Sequence, residues 1–273
     1  MGMPAEQVEE TVAPLRACPH CGALEHRPLP AYSRDGWAVV ECASCGFVYL
    51  SNPPGDDALE EEFAWEKTID QEAVARKKRA PILYGLDYAT RRWRAVLKPD
   101  ENRGYRRWFG DNARVLDVGC GHGGRLAPPL IPFGIELSRV LHAEADAAMR
   151  ARGGYCVHGP GAEAIWAFPE DHFDGIVMRS YLEHESSPRR VLDGAARALK
   201  PGGAVYVKVP NYASLNRKVI GSNWCGFRHP DHVNYFTPSS LAAMAAKSGF
   251  AMTILNRWNL ALDDNIHALL RPA

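Results

Sequence analysis

Short apolar runs and glycine-rich turns alternate along residues 113–273. Runs with the composition of buried strands occur at 113–118, 133–137, 155–158, 173–178, 204–209, 251–258 and 265–270. A helical pattern at 238–247 ends before Gly249, a residue that suits the backbone just beyond a helix. Strands that alternate with helices are typical of a parallel sheet covered on both faces. The pattern predicts an α/β fold with a doubly wound, seven-stranded, Rossmann-like sheet.

The first part of the chain has a different organisation. Residues 37–41 and 47–50 have the pattern of short antiparallel strands. A dense cluster of turn residues at 51–55 indicates a domain boundary, and helical spacing beyond it predicts two or three helices over 56–110. The predicted units are therefore a small module at 1–52, a helical connector at 53–112 and a main domain at 113–273.

Charge and hydropathy narrow the choice of partners. Lys plus Arg and Asp plus Glu both number 32, so the chain lacks the basic excess that usually accompanies nucleic-acid binding. We interpret the arginine cluster at 91–107 as a solvated helix face. No apolar run approaches the roughly 18 to 20 residues that cross a bilayer, and the acidic N-terminus lacks the pattern of a secretory signal. We expect a cytoplasmic protein that binds neither membranes nor nucleic acid.

Four of the seven cysteines form two CxxC pairs near the N-terminus, Cys18 with Cys21 and Cys42 with Cys45, and a glycine follows each pair. Thiolates at this spacing hold one ion from a tight turn, and two such turns complete a tetrahedral site with no open position. We predict a small zinc ribbon whose ion is structural and supplies much of the folding free energy of the ribbon. His20, between two ligands, is expected to be exposed. The odd cysteine count argues against a disulfide framework.

A glycine-rich turn follows the first strand of the main domain. Gly119, Gly121 and Gly123 lack side chains that would keep a ligand away from the backbone. Such a turn alone is weak evidence, because several nucleotide-binding folds use it. The next strand ends at Glu136, whose carboxylate can accept both hydroxyls of a ribose. A nucleoside is therefore expected at this edge of the sheet.

Five longer stretches cover nearly all of residues 113–258. They read VLDVGCGHGG, GIELS, FPEDHFDGIVMRSYLEH, ALKPGGAVYVKVPN and HPDHVNYFTPSSLAAMAAKSGF. With the CxxC pairs, they resemble the bacterial class I methyltransferases that have an N-terminal zinc ribbon and use S-adenosylmethionine. The resemblance implies that the fold is the methyltransferase form of the Rossmann-like sheet and that S-adenosylhomocysteine is a product. The donor site that it implies consists of Asp117, Gly119, Gly121 and Gly123 beneath the methionine part, Glu136 at the ribose, and Cys120, Leu137, Glu163 and Arg179.

Two features depart from the family pattern. Only 19 positions separate Asp117 from Glu136 and three prolines lie between them, so the first helix must be short or broken. The acid that commonly contacts the adenine amino group in the family is replaced by Gly161. Glu163 is the expected substitute.

The loops after the fourth and fifth strands contain the candidate catalytic residues. Ligands of open α/β sheets bind outside the carboxyl ends of the strands, and methylation of a hydroxyl, amine or acidic carbon requires removal of a proton. Histidine suits that task near neutral pH. We rank His184 and His232 first and His229 third, and Asp231 or Asn234 is the expected partner that orients His232. Each histidine has the alternative role of holding its loop by hydrogen bonds.

Three functions remain open from the sequence. The resemblance favours methylation of a small-molecule acceptor, such as a sugar or natural-product intermediate, on oxygen, nitrogen or carbon. An RNA methyltransferase that grips its substrate with the ribbon is the rival, which the net neutrality disfavours. The third is a non-catalytic partner that binds the donor or its product. Trp224, Phe227 and Tyr235 either wall an acceptor pocket or pack as ordinary loop residues, and Cys225 lacks a recognisable activating partner.

Overall fold

The architecture comes from a computed structural model, which describes residues 16–55 and 100–273 together with the single helical positions Val74 and Lys78. The helices predicted over 56–99 therefore lie outside the described residues. A helix at Glu101–Phe109 is the part of the predicted connector that is described. Within the described ranges, every helix is too short or too polar to cross a bilayer.

Eleven strands occur in the described residues. In chain order they are β1 (His26–Pro28), β2 (Val39–Cys42), β3 (Val48–Leu50), β4 (Arg114–Val118), β5 (Ile131–Glu136), β6 (Cys156–His158), β7 (Phe173–Arg179), β8 (Leu199–Pro210), β9 (Asn234–Tyr235), β10 (Phe250–Ile254) and β11 (Asn265–Pro272). Seven of them form one sheet in the order β10-β11-β8-β7-β4-β5-β6. The other four form a second sheet in the order β1-β2-β3-β9.

The seven-stranded sheet confirms the predicted α/β architecture. The neighbours β8, β7, β4, β5 and β6 pair in parallel. At one edge, β11 and then β10 add antiparallel pairs. Most strands lie close to their predicted positions, but β8 starts at Leu199 instead of 204 and β10 ends at Ile254 instead of 258.

Helices cover both faces of this sheet. They are α1 (Glu101–Phe109), α2 (Arg139–Arg150), α3 (Gly161–Ala164), α4 (Pro188–Ala198), α5 (Leu215–Ile220) and α6 (Pro238–Lys247). Leu116 of β4 belongs to a buried cluster that includes Leu192 of α4, whereas its neighbour Val115 packs in a second cluster with Tyr105 of α1. Successive strand residues point to opposite faces. Both faces are buried here, which explains why these strands read as continuous apolar runs.

The bounds of α6 follow from its sequence. The Thr237 side chain accepts a hydrogen bond from the backbone of Ser240, and the Ser240 side chain accepts one from the backbone of Thr237. Pro238 occupies the first turn, where its missing N–H costs nothing. Gly249 follows the helix with a φ of +80°. The predicted helix at 238–247 and its glycine terminator are confirmed.

The connection between β4 and β5 contains turns instead of a helix. Every residue from 119 to 130 is described, and none of them is helical. Pro128 and Pro129 lie in this connection, and consecutive prolines remove helix hydrogen bonds and clash with the preceding turn. The first helix was predicted to be short or broken, and in the structure it is absent from this connection.

The second sheet joins the N-terminal module to the main domain. β3 pairs antiparallel with β9, with Val48 opposite Tyr235 and Tyr49 opposite Asn234. Val39 and Leu50 of the module pack in one buried cluster that includes Trp224, Phe227 and Tyr235 from the loop after β8. These three aromatic residues therefore have the packing role considered in the sequence analysis. The four-stranded sheet crosses the domain boundary predicted at residue 52.

Candidate functional site

A cavity of about 760 Å³ opens at the carboxyl ends of the parallel strands. Its walls come from the loops after β4, β5, β6, β7 and β8, as expected for an open α/β sheet. The volume suits a ligand of the size of a nucleoside with further substituents. Of the residues predicted for the site, the cavity is lined by Gly119, Cys120, Gly121, Glu136, Leu137, Arg179, His184 and His232.

The glycine turn forms one wall of this cavity. Gly119 and Gly121 have φ values of +70° and +56°, a left-handed conformation that disfavours side chains. A Cβ added at Gly121 would meet no heavy atom within 4 Å, whereas one at Gly119 would lie 2.8 Å from the Tyr181 ring. The space in front of Gly121 is therefore open, and a ligand can approach the backbone there.

The Glu136 carboxylate lies beside this turn at the end of β5. Its Oε2 accepts a hydrogen bond from the Gly121 backbone N–H at 2.7 Å. Its Oε1 accepts one from the Ser138 backbone N–H at 3.0 Å. Each carboxylate oxygen has a further lone pair, so the fixed carboxylate can still accept hydroxyl groups from a ligand.

Two residues predicted to bind the methyl donor, Asp117 and Gly123, lie outside the cavity lining. Asp117 is buried and pairs with Arg125, while its Oδ2 has no hydrogen-bond partner. Burial raises the pKa of Asp117 to about 6, against the opposing effect of Arg125. A Cβ at Gly123 would lie 3.0 Å from the backbone of Ala145 in α2. Gly123 therefore permits close packing of the turn against that helix.

Three further residues were predicted to bind the methyl donor, and each has its own set of contacts. Cys120 is buried, and its Sγ lies 3.6 Å from Sγ of Cys156. Arg179 donates to Glu101 of α1 at 2.9 Å, so this cavity residue is already paired. The structure corrects the expectation for Glu163, which is exposed on α3 and lies outside the cavity lining. Its helix begins after Pro160, and the third position of this short turn faces solvent.

The part of the cavity wall that is predicted to face the acceptor, here called the acceptor-side wall, contains Glu183, His184 and His232. The two imidazole rings make an edge-to-face contact with centroids 4.7 Å apart. One ligand atom from each of the three side chains lies within 4.8 Å of the others. The two histidines were predicted from the sequence as candidate catalytic residues, whereas Glu183 was not. The signal for it was an acidic residue inside the otherwise apolar Tyr181-Leu182-Glu183 run.

Backbone groups orient both histidines. His232 Nδ1 contacts the Gly226 carbonyl at 2.9 Å, which makes Nδ1 the donor and leaves the Nε2 lone pair available. His184 donates to the backbone of Asp231. Asp231 was predicted to orient His232, but its backbone orients His184 instead, and its carboxylate accepts a hydrogen bond from Arg228 at 2.8 Å.

Burial sets the protonation of this cluster. It raises the pKa of Glu183 to about 8 and lowers the pKa of His184 to about 4. The pKa of His232 lies well below its usual value because of burial and the neighbouring His184. Both imidazoles are therefore neutral at neutral pH, with lone pairs that can accept a proton or bind a cation.

The structure argues against a catalytic role for His229. Its Nε2 contacts the Tyr32 carbonyl at 2.9 Å, and its Nδ1 contacts the Tyr235 hydroxyl at 3.3 Å. Both ring nitrogens are engaged, and the residue lies outside the cavity lining. His229 therefore has the alternative role of holding its loop against the N-terminal module. Cys225 lines the cavity at intermediate exposure.

The loops that hold the histidines are tied to the N-terminal module. The Asn234 side chain donates to the carbonyls of Leu182 and Glu185, both at 2.7 Å. The backbone N–H groups of Val233 and Asn234 donate to the Glu183 carbonyl. Since Asn234 belongs to β9, the sheet of the module fixes both loops.

The cysteines of the two CxxC pairs lie together, with all four Sγ atoms within 4.8 Å of one another. Sγ of Cys18 is 3.7 Å from that of Cys45, and Sγ of Cys21 is 3.5 Å from that of Cys42. Sulfur atoms bound at about 2.3 Å in a tetrahedron lie roughly 3.8 Å apart. The cluster therefore has the dimensions of an S4 metal site.

His20 differs from its expected exposure. The residue is buried beside Phe47, with ring centroids 6.0 Å apart. Its backbone carbonyl accepts a hydrogen bond from Lys247 of α6 at 3.1 Å. The turn between the first two cysteines thus contacts the main domain through this hydrogen bond.

Part of this chain is similar to curated O-methyltransferases. A ubiquinone biosynthesis O-methyltransferase of Burkholderia pseudomallei is 28% identical over 161 residues, which cover 51% of this chain and 65% of that protein. One of Caulobacter vibrioides is 28% identical over 182 residues, covering 57% and 70%. The chain thus spans just under two thirds of the length of the first of these relatives.

Solved structures of methyltransferases are also similar to this chain. An S-adenosylmethionine-dependent methyltransferase of Archaeoglobus fulgidus gives a TM-score of 0.49 at 17% identity, covering 67% of this chain and 99% of that one. One of Mesorhizobium loti gives 0.46 at 17% identity, covering 59% and 91%. Residues 87–254 match a family model described as a methyltransferase domain. That match covers more than half of the chain, which therefore belongs to this family of S-adenosylmethionine-dependent methyltransferases.

Proposed function

We propose that this chain transfers a methyl group from S-adenosylmethionine to an oxygen atom of a small-molecule acceptor, such as a sugar or natural-product intermediate. One observation supports this most directly: a single cavity joins the glycine turn and Glu136 to the pair His184 and His232. The relatives named as O-methyltransferases favour oxygen as the methylated atom.

The donor half of the cavity fits an adenosyl group. Gly121 faces open space, and the Glu136 carboxylate is fixed by two backbone N–H groups with lone pairs left for ribose hydroxyls. When bound, the donor supplies a methyl group activated by a positively charged sulfur. The chain itself binds and orients the donor through the turn after β4 and the end of β5.

The acceptor half of the cavity has the groups needed to remove a proton. A hydroxyl must lose its proton as it is methylated, and a neutral imidazole with an available lone pair accepts one. His184 and His232 are such groups, and each is oriented by a backbone carbonyl. We assign them the removal of the acceptor proton.

Alanine variants of the two histidines test this proposal. His184→Ala and His232→Ala should lower turnover of labelled donor roughly 100-fold or more and change the affinity for S-adenosylhomocysteine far less. His26→Ala, at a half-buried histidine of β1 outside the cavity lining, is the matched control. Unchanged turnover in both variants would refute the assignment. Methylation of bulk RNA in place of small hydroxylated compounds would refute the acceptor class.

We also propose that the four ribbon cysteines bind a structural zinc ion. Their Sγ separations match a tetrahedral thiolate site. Four thiolates leave no open position, so this ion would hold the fold of the module instead of taking part in catalysis. The strand β3 pairs with β9, which follows His232 in the chain, so an ordered module would support the loop that holds this histidine.

A further inference from the structure

A second group of potential metal ligands lies in the acceptor-side wall, apart from the four cysteines. We propose that Glu183, His184 and His232 bind one divalent transition-metal cation, of the class that includes Mn²⁺, Fe²⁺, Co²⁺ and Zn²⁺. This inference rests on the proposed function and deepens it. The cation would lie where the acceptor hydroxyl enters.

The spacing of the three side chains suits a shared ion. One oxygen and two nitrogen atoms, one from each side chain, lie within 4.8 Å of one another. Atoms bound at about 2.1 Å to the same ion lie roughly 3–4 Å apart. Small side-chain rotations therefore bring all three within bonding distance.

Both histidines have the outer contacts that are typical of metal ligands. A histidine ligand usually donates its second ring N–H to a carbonyl or carboxylate, which fixes the ring and its tautomer. Here His232 Nδ1 contacts the Gly226 carbonyl, and His184 donates to the backbone of Asp231. In each ring one nitrogen is held by the backbone and the other is available.

The carboxylate provides a second, independent observation. Glu183 is only 2% exposed, and its Oε2 is buried with no hydrogen-bond partner. A buried carboxylate oxygen without a partner costs free energy, and an ion pair or metal bond removes that cost. A cation between Glu183 and the two imidazoles satisfies this oxygen.

The surrounding charges permit a cation at this position. Arg228, Arg179 and Lys208 are the positive groups close enough to influence Glu183. Arg228 is paired with Asp231 at 2.8 Å, and Arg179 is paired with Glu101 at 2.9 Å. These two arginines are therefore largely neutralised by their own acidic partners, and a cation bound beside Glu183 would favour its ionised carboxylate.

The ligand set indicates both the class of ion and its role. Two imidazoles and one carboxylate favour first-row transition ions over Mg²⁺ and Ca²⁺, which prefer oxygen ligands, and they leave coordination positions open. Those positions face the cavity, because His184 and His232 line it. A hydroxyl bound to such an ion releases its proton to water more readily. With the ion bound, the imidazoles act as its ligands, and the ion takes over the activation of the acceptor.

Titration of the zinc-loaded protein with Mn²⁺, followed by electron paramagnetic resonance, tests the site directly. Mn²⁺ binds thiolates weakly, so the cysteine cluster does not compete. We expect about one Mn²⁺ per chain, held at least tenfold more weakly in Glu183→Gln, His184→Ala and His232→Ala. Glu185→Gln is the matched control, since Glu185 is a buried acid of the same loop outside the cluster. Thermal unfolding of each variant checks that the fold persists.

The outcomes separate this inference from the proposed function. Wild-type protein that binds no Mn²⁺ or Co²⁺ at millimolar concentration, or folded cluster variants that bind Mn²⁺ as the wild type does, would overturn the site. Chelator-treated protein that keeps its ribbon zinc, binds S-adenosylhomocysteine and retains full turnover would also overturn it, while leaving the histidines as bases. Specific Mn²⁺ binding without any binding of S-adenosylhomocysteine would support the site and overturn the proposed function.

Discussion

The Arg16 guanidinium donates a hydrogen bond to Asn234 Oδ1 at 2.9 Å, across 218 positions of the chain. The same guanidinium donates to the carbonyls of Leu50, Ser186 and Val233. Its carbon also lies 5.3 Å from the centroid of the Tyr49 ring. One side chain thus connects the module, the loop of His184 and the loop of His232.

Arg16→Ala should lower both stability and turnover. Loss of the guanidinium leaves buried acceptors unsatisfied, at about 1–3 kcal/mol for each such group. The histidine loops then lose a shared anchor, so turnover should fall while the affinity for S-adenosylhomocysteine stays close to that of the wild type. Denaturant unfolding measures the stability, turnover of labelled donor measures the activity, and calorimetry measures the affinity for S-adenosylhomocysteine.

Arg27→Ala is the matched control for this variant. Arg27 is exposed on β1 and pairs with Glu41 at 3.0 Å, and such surface pairs contribute about 0–1 kcal/mol. If Arg16→Ala and Arg27→Ala unfold at the same denaturant concentration, the anchoring role of Arg16 is wrong.

The sequence predicted the main sheet well because its strands are buried on both faces. Val115 and Leu116 pack on opposite sides of the sheet, and this produces an apolar run that needs no knowledge of its partners. β9 was missed because Asn234 and Tyr235 form a strand only through pairing with β3. Local pattern does not encode a contact between residues nearly 200 positions apart.

Gly121→Ala should weaken donor binding, and its loss of stability should be no larger than that of other alanine substitutions at left-handed glycines. Its backbone is left-handed, so alanine costs about 1 kcal/mol of strain, and its new methyl group enters open space at the cavity wall. Gly202→Ala is the matched control, because Gly202 has a φ of +81° and open surroundings but lies in β8 outside the cavity lining. Calorimetry with S-adenosylhomocysteine should show a loss of affinity for the first variant alone. Equal affinities would mean that the donor does not approach Gly121.

The candidate site was predictable in its backbone and less so in its side chains. Glu136 was placed correctly because a strand end fixes its position. Glu163 was misplaced because its direction depends on a single short helical turn, whose phase the sequence does not reveal. Glu183 was missed because its burial depends on loops that only the second sheet brings together.

Glu136→Ala should weaken the binding of S-adenosylhomocysteine by about tenfold or more, which corresponds to about 1.4 kcal/mol. The variant loses the ribose acceptor and also the two hydrogen bonds that hold Gly121 and Ser138. Glu170→Ala is the control, since Glu170 is an exposed acid paired with Arg197. Isothermal calorimetry on folded protein measures both constants. Wild-type affinity in Glu136→Ala would remove Glu136 from the donor site.

Removal of the proposed zinc ion should disorder the loops that hold His184 and His232 as well as the module. We expect about one tightly bound zinc per chain, absent from Cys21→Ala and retained in Cys225→Ala, whose sulfur lies outside the four-cysteine cluster. Without the ion, β3 loses the turns that flank it, and its pairing with β9 weakens, so amide exchange should accelerate at Val48 and at Asn234. Strands of the parallel sheet should keep more of their protection, because one of their faces packs in a buried cluster that contains no module residue. Hydrogen exchange with metal analysis measures both effects. A metal-free chain with protected β3 and β9 amides would show that the module folds without zinc, which would overturn the structural role proposed for the ion.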